Sequence, residues 1–232
     1  MKNLKPIFEK YGLCLTQEQE EMFEKYFEHL VETNKYMNLT AITEEDEVVV
    51  KHFLDSVLPQ EMFKENSKVI DVGSGADFPA LPLKIYRRDL NVCMLDSLNK
   101  RVRFLNEVIE MLGLKNVTAI HGRAEDFAKE KREAFDVATA RAVASLDTLV
   151  EYLLPFVKVG GCAIIYKATK VEEEIALAQK AIATLGGKLE SVKNFKIEEF
   201  ELERNVIVIR KVSKTPSKYP RGKNLPKKQP IK

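Results

Sequence analysis

The stretch that decides the fold is Val69-Ile70-Asp71-Val72-Gly73-Ser74-Gly75-Ala76-Asp77-Phe78-Pro79. Three strand-type residues with an embedded acid run directly into Gly-x-Gly, and a helix-like stretch follows. A second acid, Asp96, ends the next apolar run, 21 residues after Gly75. This is how an open α/β sheet presents a nucleoside: the glycines let the backbone approach the ligand, and the later carboxylate accepts ribose hydroxyls. The sixth position of the dinucleotide pattern Gly-x-Gly-x-x-Gly is Phe78, and no lysine follows to hold phosphates. The departure favours S-adenosylmethionine over NAD or ATP. The alternative is a tight strand-to-helix turn with no ligand.

Outward from this stretch, apolar runs at 68–72, 91–96, 116–120, 135–140 and 161–166 alternate with helical patterns at 79–87, 98–112, 145–156 and 170–185. The alternation predicts a parallel sheet covered on both faces. After Gly186-Gly187, two strands at 188–196 and 205–211 should close it with an antiparallel end. The expected fold is therefore α/β, Rossmann-like, with seven mostly parallel strands. Upstream, residues 3–11, 17–36 and 45–58 read as helices. Thr16 is a candidate N-cap, and Met22, Tyr26, Phe27, Leu30 and Val31 recur at helical spacing. The expected organisation is a helical N-terminal extension over 1–60, an α/β domain over 61–212 and a basic tail over 213–232, the last rich in Lys, Pro and Ser and expected to be mobile.

Composition narrows the setting. Of 232 residues 45% are apolar, enough to fill a core. The opening Met-Lys-Asn-Leu-Lys-Pro has no apolar segment of signal type, and no uninterrupted apolar run nears the roughly 18 residues of a membrane span. Cys14, Cys93 and Cys162 are few and scattered, which suits a reduced compartment; a cytoplasmic location is expected. The net charge of +2 hides an asymmetry, because residues 211–232 hold eight of the 37 basic side chains and none of the 35 acids. A basic tail on a mildly acidic body fits a polyanionic partner, or serves only solubility.

In such sheets ligands bind outside the carboxyl ends of the strands, so function should sit just after each strand. Gly73, Gly75 and Phe78 follow the first. Asp96 ends the second, where it either binds ribose or caps the next helix. Ala124 and Glu125 follow the third, suited to reading an adenine edge, although Glu125 equally suits an acidic helix start. His121 has no spaced partner, and no metal site is expected. The fourth strand ends at Arg141, and the Asn/Asp-Pro-Pro-aromatic motif of exocyclic-amine methylation is missing there. Lys167 ends the next strand and Arg204 precedes the last. With Arg123, these cations predict a nucleic-acid floor on one rim.

These segments bring out a resemblance over nearly the whole chain. Asn34-Lys35-Tyr36-Met37-Asn38-Leu39-Thr40, Lys51-His52-Phe53-Leu54-Asp55-Ser56, Asp71-Val72-Gly73-Ser74-Gly75, Leu95-Asp96-Ser97-Leu98-Asn99-Lys100-Arg101, His121-Gly122-Arg123-Ala124-Glu125-Asp126, Ala140-Arg141-Ala142-Val143-Ala144 and Thr215-Pro216-Ser217-Lys218-Tyr219-Pro220-Arg221 together resemble the bacterial small-subunit ribosomal RNA guanine-N7 methyltransferases (RsmG, formerly glucose-inhibited division protein B, GidB). The resemblance implies a class I methyltransferase fold and methyl transfer from S-adenosylmethionine to guanine N7 in 16S ribosomal RNA. It implies a cofactor held by Gly73, Gly75, Phe78, Asp96, Ala124, Glu125 and Arg141. Arg141 or Lys167 is expected to orient the guanine through O6, and Arg123, Lys167, Arg204, Lys218 and Arg221 to contact RNA, free or in the 30S particle, with a monomer as the default. Asp77, Ala80 and Ala168 stand where the family usually has glycine. Asp77 and Ala80 prompt a second reading, an RNA- or ribosome-binding protein with weakened or lost methyl transfer. A third, an NAD-dependent oxidoreductase, is disfavoured by Phe78.

Overall fold

In a computed structural model, which describes residues 1–73, 78–141, 144–168 and 171–232, seven strands form one sheet in the order β3-β2-β1-β4-β5-β7-β6. They are β1 (Lys68–Val72), β2 (Asn91–Asp96), β3 (Val117–His121), β4 (Phe135–Arg141), β5 (Val157–Lys167), β6 (Gly187–Ile197) and β7 (Leu202–Lys211). The first five pair in parallel. β7 runs antiparallel between β5 and β6, giving the expected antiparallel end. The reversal of order beside β1 opens a crevice at the carboxyl ends of β1 and β4, where ligands bind in open α/β sheets.

β1, β2 and β5 read as continuous apolar runs because both their faces are covered. On one face lie α1 (Leu4–Lys10), α2 (Gln17–Met37), α5 (Ala80–Tyr86) and α6 (Asn99–Met111); on the other lie α7 (Ala124–Glu130), α8 (Leu146–Leu153) and α9 (Val171–Thr184). The N-terminal helices share one apolar cluster with the sheet: Phe23, Tyr26 and Phe53 meet Phe78 and Phe104. The face of α2 is turned from the expected one. Phe23, Tyr26 and Leu30 are buried, while Met22, Phe27 and Val31 sit at its margins. Thr16 caps α2 as expected, within a capping box: its Oγ1 accepts from Gln19 N–H and the Gln19 side chain accepts from Thr16 N–H. Gln19 Nε2 then donates to the carbonyls of Ile85 and Tyr86, so one side chain closes both the start of α2 and the end of α5.

The expected helix over 45–58 is interrupted. α3 (Glu45–Val48) widens into a six-residue π-helix, Val49–Leu54, before resuming as α4 (Asp55–Val57). Such π segments are rare and occur frequently at functional sites. α7 is not among the helices expected over a stated range, although Glu125 suits an acidic helix start; it is a short helix of seven residues after β3.

The tail is the main correction. The expected mobile segment packs against the domain and ends in α10 (Leu225–Lys228). Lys211, fully buried, donates to the carbonyls of Leu154 and Val157 and to Thr215 Oγ1. Arg132 donates to the carbonyls of Thr215, Pro216 and Tyr219 at 2.7–2.9 Å. Arg221 grips the fully buried Glu151 carboxylate through Nε (2.9 Å) and Nη2 (2.6 Å). Low-complexity composition signals disorder only where such partners are lacking; here two of them, Arg132 and Glu151, lie 70 or more residues away. Among the described residues no helix is long and apolar enough to cross a membrane.

Candidate functional site

A cavity of about 260 Å³ opens at the carboxyl ends of β1, β2 and β3. Gly73, Leu95, Gly122 and Glu125 line its floor, Leu149 and Tyr152 of α8 one wall, and Asn224 and Lys227 of the tail another. Gly73 takes a left-handed φ of +78°, and its N–H donates to Leu95 carbonyl, which turns the chain out of β1 at the cavity edge. Of the residues expected around a cofactor, Gly73, Ala124 and Glu125 line this cavity, and so does Arg123. Gly75 and Asp77 lie outside the described residues.

Asp96 is 1% exposed, and Leu95 and Ser97 on either side of it line the cavity. Its Oδ1 accepts from Leu98 N–H at 2.8 Å, an Asx turn, and its Oδ2 lies 3.4 Å from Arg101 Nη1. The helix cap expected as the alternative role is not formed, since Leu98 is the N-cap of α6 and has no side-chain cap bond; Asp96 instead makes a turn just ahead of that helix, on a carboxylate at the cavity margin. Glu125, also buried, has its Oε1 3.4 Å from Arg123 Nη1. The donor set suits the adenosine part of S-adenosylmethionine: apolar walls for a purine, and buried carboxylates after β2 and β3 to accept from hydroxyl or amine groups. Among the described residues no three His, Cys, Asp or Glu side chains converge as metal ligands.

A second cluster lies beside β1 and β4, away from the cavity walls. Phe78 is buried against both the His52 ring, stacked at 4.1 Å and 17°, and the Arg141 guanidinium, whose Cζ is 4.8 Å from the Phe78 ring centroid. The π turn presents the Lys51 carbonyl and His52 to Arg141, and the following turn presents Asp55. Arg141 Nη1 donates to Lys51 carbonyl (3.1 Å) and to Asp55 Oδ2 (3.0 Å), and Nη2 lies 3.2 Å from His52 Nδ1. Since a guanidinium only donates, Nδ1 is the acceptor and Nε2–H donates to Thr40 Oγ1 at 2.9 Å. Burial, reinforced by Arg141, pushes the His52 pKa down to about 3, so the ring is neutral. Asp71, fully buried on β1, is pushed up to about 7 by burial, against the opposing pull of the Ala80 N–H and Arg141.

This geometry revises the expected cationic rim. Arg141 and Arg204 share one buried carboxylate, with Arg204 Nε 3.3 Å from Asp55 Oδ1. Lys167, 9% exposed, donates to Ala144 carbonyl at 2.6 Å and pairs with Glu174 at 2.7 Å. Arg221 is spent on Glu151. Arg141, Lys167, Arg204 and Arg221 are therefore structural pins as they stand, while Arg123 (61% exposed) and Lys218 remain open to solvent. Sequence reasoning assigned no role to His52, Asp55, Glu151, Asn224 or Lys227. The signals were present in Lys51-His52-x-x-Asp55, and in an acid, Glu151, set among the apolar positions of α8.

Comparison with known proteins agrees with the geometry. The profile of the family described as GidB, rRNA small subunit methyltransferase G, matches residues 19–207. Among curated relatives, the ribosomal RNA small subunit methyltransferase G of Leuconostoc citreum is 50% identical over 226 residues, covering 95% of this chain and 94% of its own. That of Bacillus licheniformis is 50% identical over 227 residues, covering 96% and 95%. Among solved structures, M. jannaschii TYW2 in complex with AdoMet shares the fold at a TM-score of 0.57 and 19% identity, covering 74% of this chain and 80% of its own. An Aquifex aeolicus SAM-dependent methyltransferase shares it at 0.51 and 18%, covering 72% and 93%. The sheet order, the cavity beyond β1–β3 and these matches together make this chain a member of the rRNA small subunit methyltransferase G (GidB) family.

Proposed function

We propose that this chain transfers the methyl group of S-adenosylmethionine to N7 of a guanine in small-subunit ribosomal RNA, acting as a cytoplasmic monomer on the RNA or the 30S particle. The observation that carries the reading is the strand-end cavity lined by Gly73 and Glu125, with Asp96 at its margin, in a chain of this family. The bound cofactor would supply an electrophilic methyl on a sulfonium. Transfer would exchange the S–C bond for an N7–C bond, with the bonding pair left on sulfur and the positive charge on the purine.

Guanine N7 offers a free lone pair, so no proton has to be removed before attack. The residues near the site suit that economy. His52, the imidazole closest to β4, is neutral, buried and tied to Thr40 and Arg141, which leaves it no part as a base. Rate enhancement then rests on orientation, which alone can lower a barrier by about 7–11 kcal/mol. Glu125 and the Asp96 turn would hold the adenosine, and the Gly73 turn would bring the methyl-bearing end toward β4. Arg141 acts here as a positioning residue: it clamps Phe78 and ties the π turn to the end of β4. Arg123 and Lys218, exposed near the cavity and on the tail, are the proposed RNA contacts, to which phosphate oxygens bind without base selection. Calorimetric titration with S-adenosylmethionine and with NAD tests the cofactor. Binding of the first and not the second is expected; binding of NAD alone would overturn the reading.

A further inference from the structure

The cavity would be an open groove but for the last dozen residues of the chain. Asn224 and Lys227 line it opposite Gly122 and Glu125, and the tail is secured at that position by contacts of its own. Glu151 is fully buried on α8, one turn from Thr148 and next to Tyr152, both of which line the cavity. Its carboxylate takes the Arg221 backbone N–H at 2.8 Å as well as the guanidinium. Beyond that anchor, Arg221 Nη2 reaches forward to Gln229 carbonyl at 2.8 Å and closes the loop that carries Asn224 and Lys227. Thr148 Oγ1 donates to the buried Pro226's carbonyl at 3.2 Å, and Tyr152 Oη lies 3.3 Å from Asn224 Oδ1. Two cavity-lining side chains of α8 are thereby bonded to the segment facing them.

A carboxylate is costly to bury without a partner, and the partner that offsets that cost at Glu151 is Arg221, at the start of the segment that faces the cavity. A tail evolved only to trail along RNA needs no such anchor. Lys227, on α10, lines the cavity and carries a cationic donor, and Asn224 offers an amide able both to donate and to accept. Those groups suit the ribose hydroxyls and ring nitrogens of a nucleoside.

We infer that the segment 222–229 is a wall of the cofactor site, closing its adenosine end, with the Glu151–Arg221 pair holding that wall in place. The inference rests on the cofactor reading above. It assigns the end of the basic tail to the cofactor, leaving Lys218 upstream for RNA.

Hydrogen–deuterium exchange on the intact chain, with and without S-adenosylmethionine, tests it. Slower exchange is expected both at 122–126 and at 222–229, where the amides of Leu225, Lys228 and Gln229 already bond within the tail. The paired substitution Asn224→Ala with Lys227→Ala, which leaves the Glu151–Arg221 anchor intact, should weaken cofactor binding about tenfold and change affinity for small-subunit RNA less than twofold. Protection at 122–126 with none at 222–229, or a paired variant with unchanged cofactor affinity and reduced RNA affinity, would overturn the inference and make the segment an RNA arm. Protection at neither place would overturn the cofactor reading itself.

Discussion

Asp55→Ala is the most informative perturbation of the second cluster. The carboxylate is 4% exposed and is the shared counter-ion of Arg141 (14%) and Arg204 (21%). Its removal leaves two guanidinium groups facing one another across the space it filled. Removing one partner of a buried ion pair costs about 3–5 kcal/mol. Both arginines keep some access to water, and Arg141 keeps the Lys51 carbonyl, so a loss of about 2–3 kcal/mol is expected. For a domain of this size that corresponds to a fall in Tm of about 4–12 °C. Urea unfolding followed by far-ultraviolet circular dichroism at pH 7 measures it. With Arg204→Ala and the double variant, the cycle should return a coupling of about 1–2 kcal/mol. Methyl transfer should fall chiefly in kcat, because Arg141 loses the contact that fixes it over Phe78. A loss of stability below about 0.5 kcal/mol with no coupling to Arg204 would refute the pinning argument. Arg141 would then be free to meet the substrate directly.

Two further expectations concern pH and the tail. Asp71 keeps its proton in the folded chain up to about pH 7 but loses it near 3.8 when unfolded, so its contribution is complete below about pH 4 and declines as pH rises to 7. His52 works in the opposite sense. Neutral in the folded chain down to about pH 3 and protonated near 6.5 when unfolded, it contributes fully above pH 6.5 and loses that contribution as pH falls. Their slopes oppose each other between about pH 4 and 6.5; Asp71→Asn should uncover a urea midpoint that climbs with pH there, and a profile parallel to the parent's would sink the assignment. Arg132→Ala removes three hydrogen bonds to tail carbonyls and should expose the 213–220 segment to limited proteolysis, with the rest of the domain protected; cleavage at the parent's rate would show that the clamp is dispensable.

The parts legible in the sequence are those with local causes. The turn at Gly73 follows from its neighbours in β1, and the Asp96 carboxylate from its place at the end of β2. The capping box at Thr16 needs only Gln19, three residues on. The strand rhythm is readable because burial on both faces leaves continuous apolar runs. What stayed hidden depends on distant partners. Arg141 was correctly singled out as a strand-end cation, but its occupation by Asp55 lies 86 residues upstream. The tail's composition resembles a disordered segment's, and its order comes from Arg132 and Glu151, far from it in sequence. The rotation of α2 toward Phe23 was set by aromatic packing against Phe8 and Phe53, which periodicity cannot rank above Met22. The π turn at Val49–Leu54 leaves no mark on an apolar pattern that an α-helix would satisfy equally well.

The central claim is methyl transfer to guanine N7, and one assay meets it directly. Small-subunit RNA and 30S particles, prepared without prior methylation, are incubated with the chain and labelled S-adenosylmethionine, then digested to nucleosides. The account predicts label in 7-methylguanosine alone, approaching one methyl per RNA. Label in a ribose-methylated or exocyclic-amine-methylated nucleoside, or RNA binding with no label transferred, would contradict it.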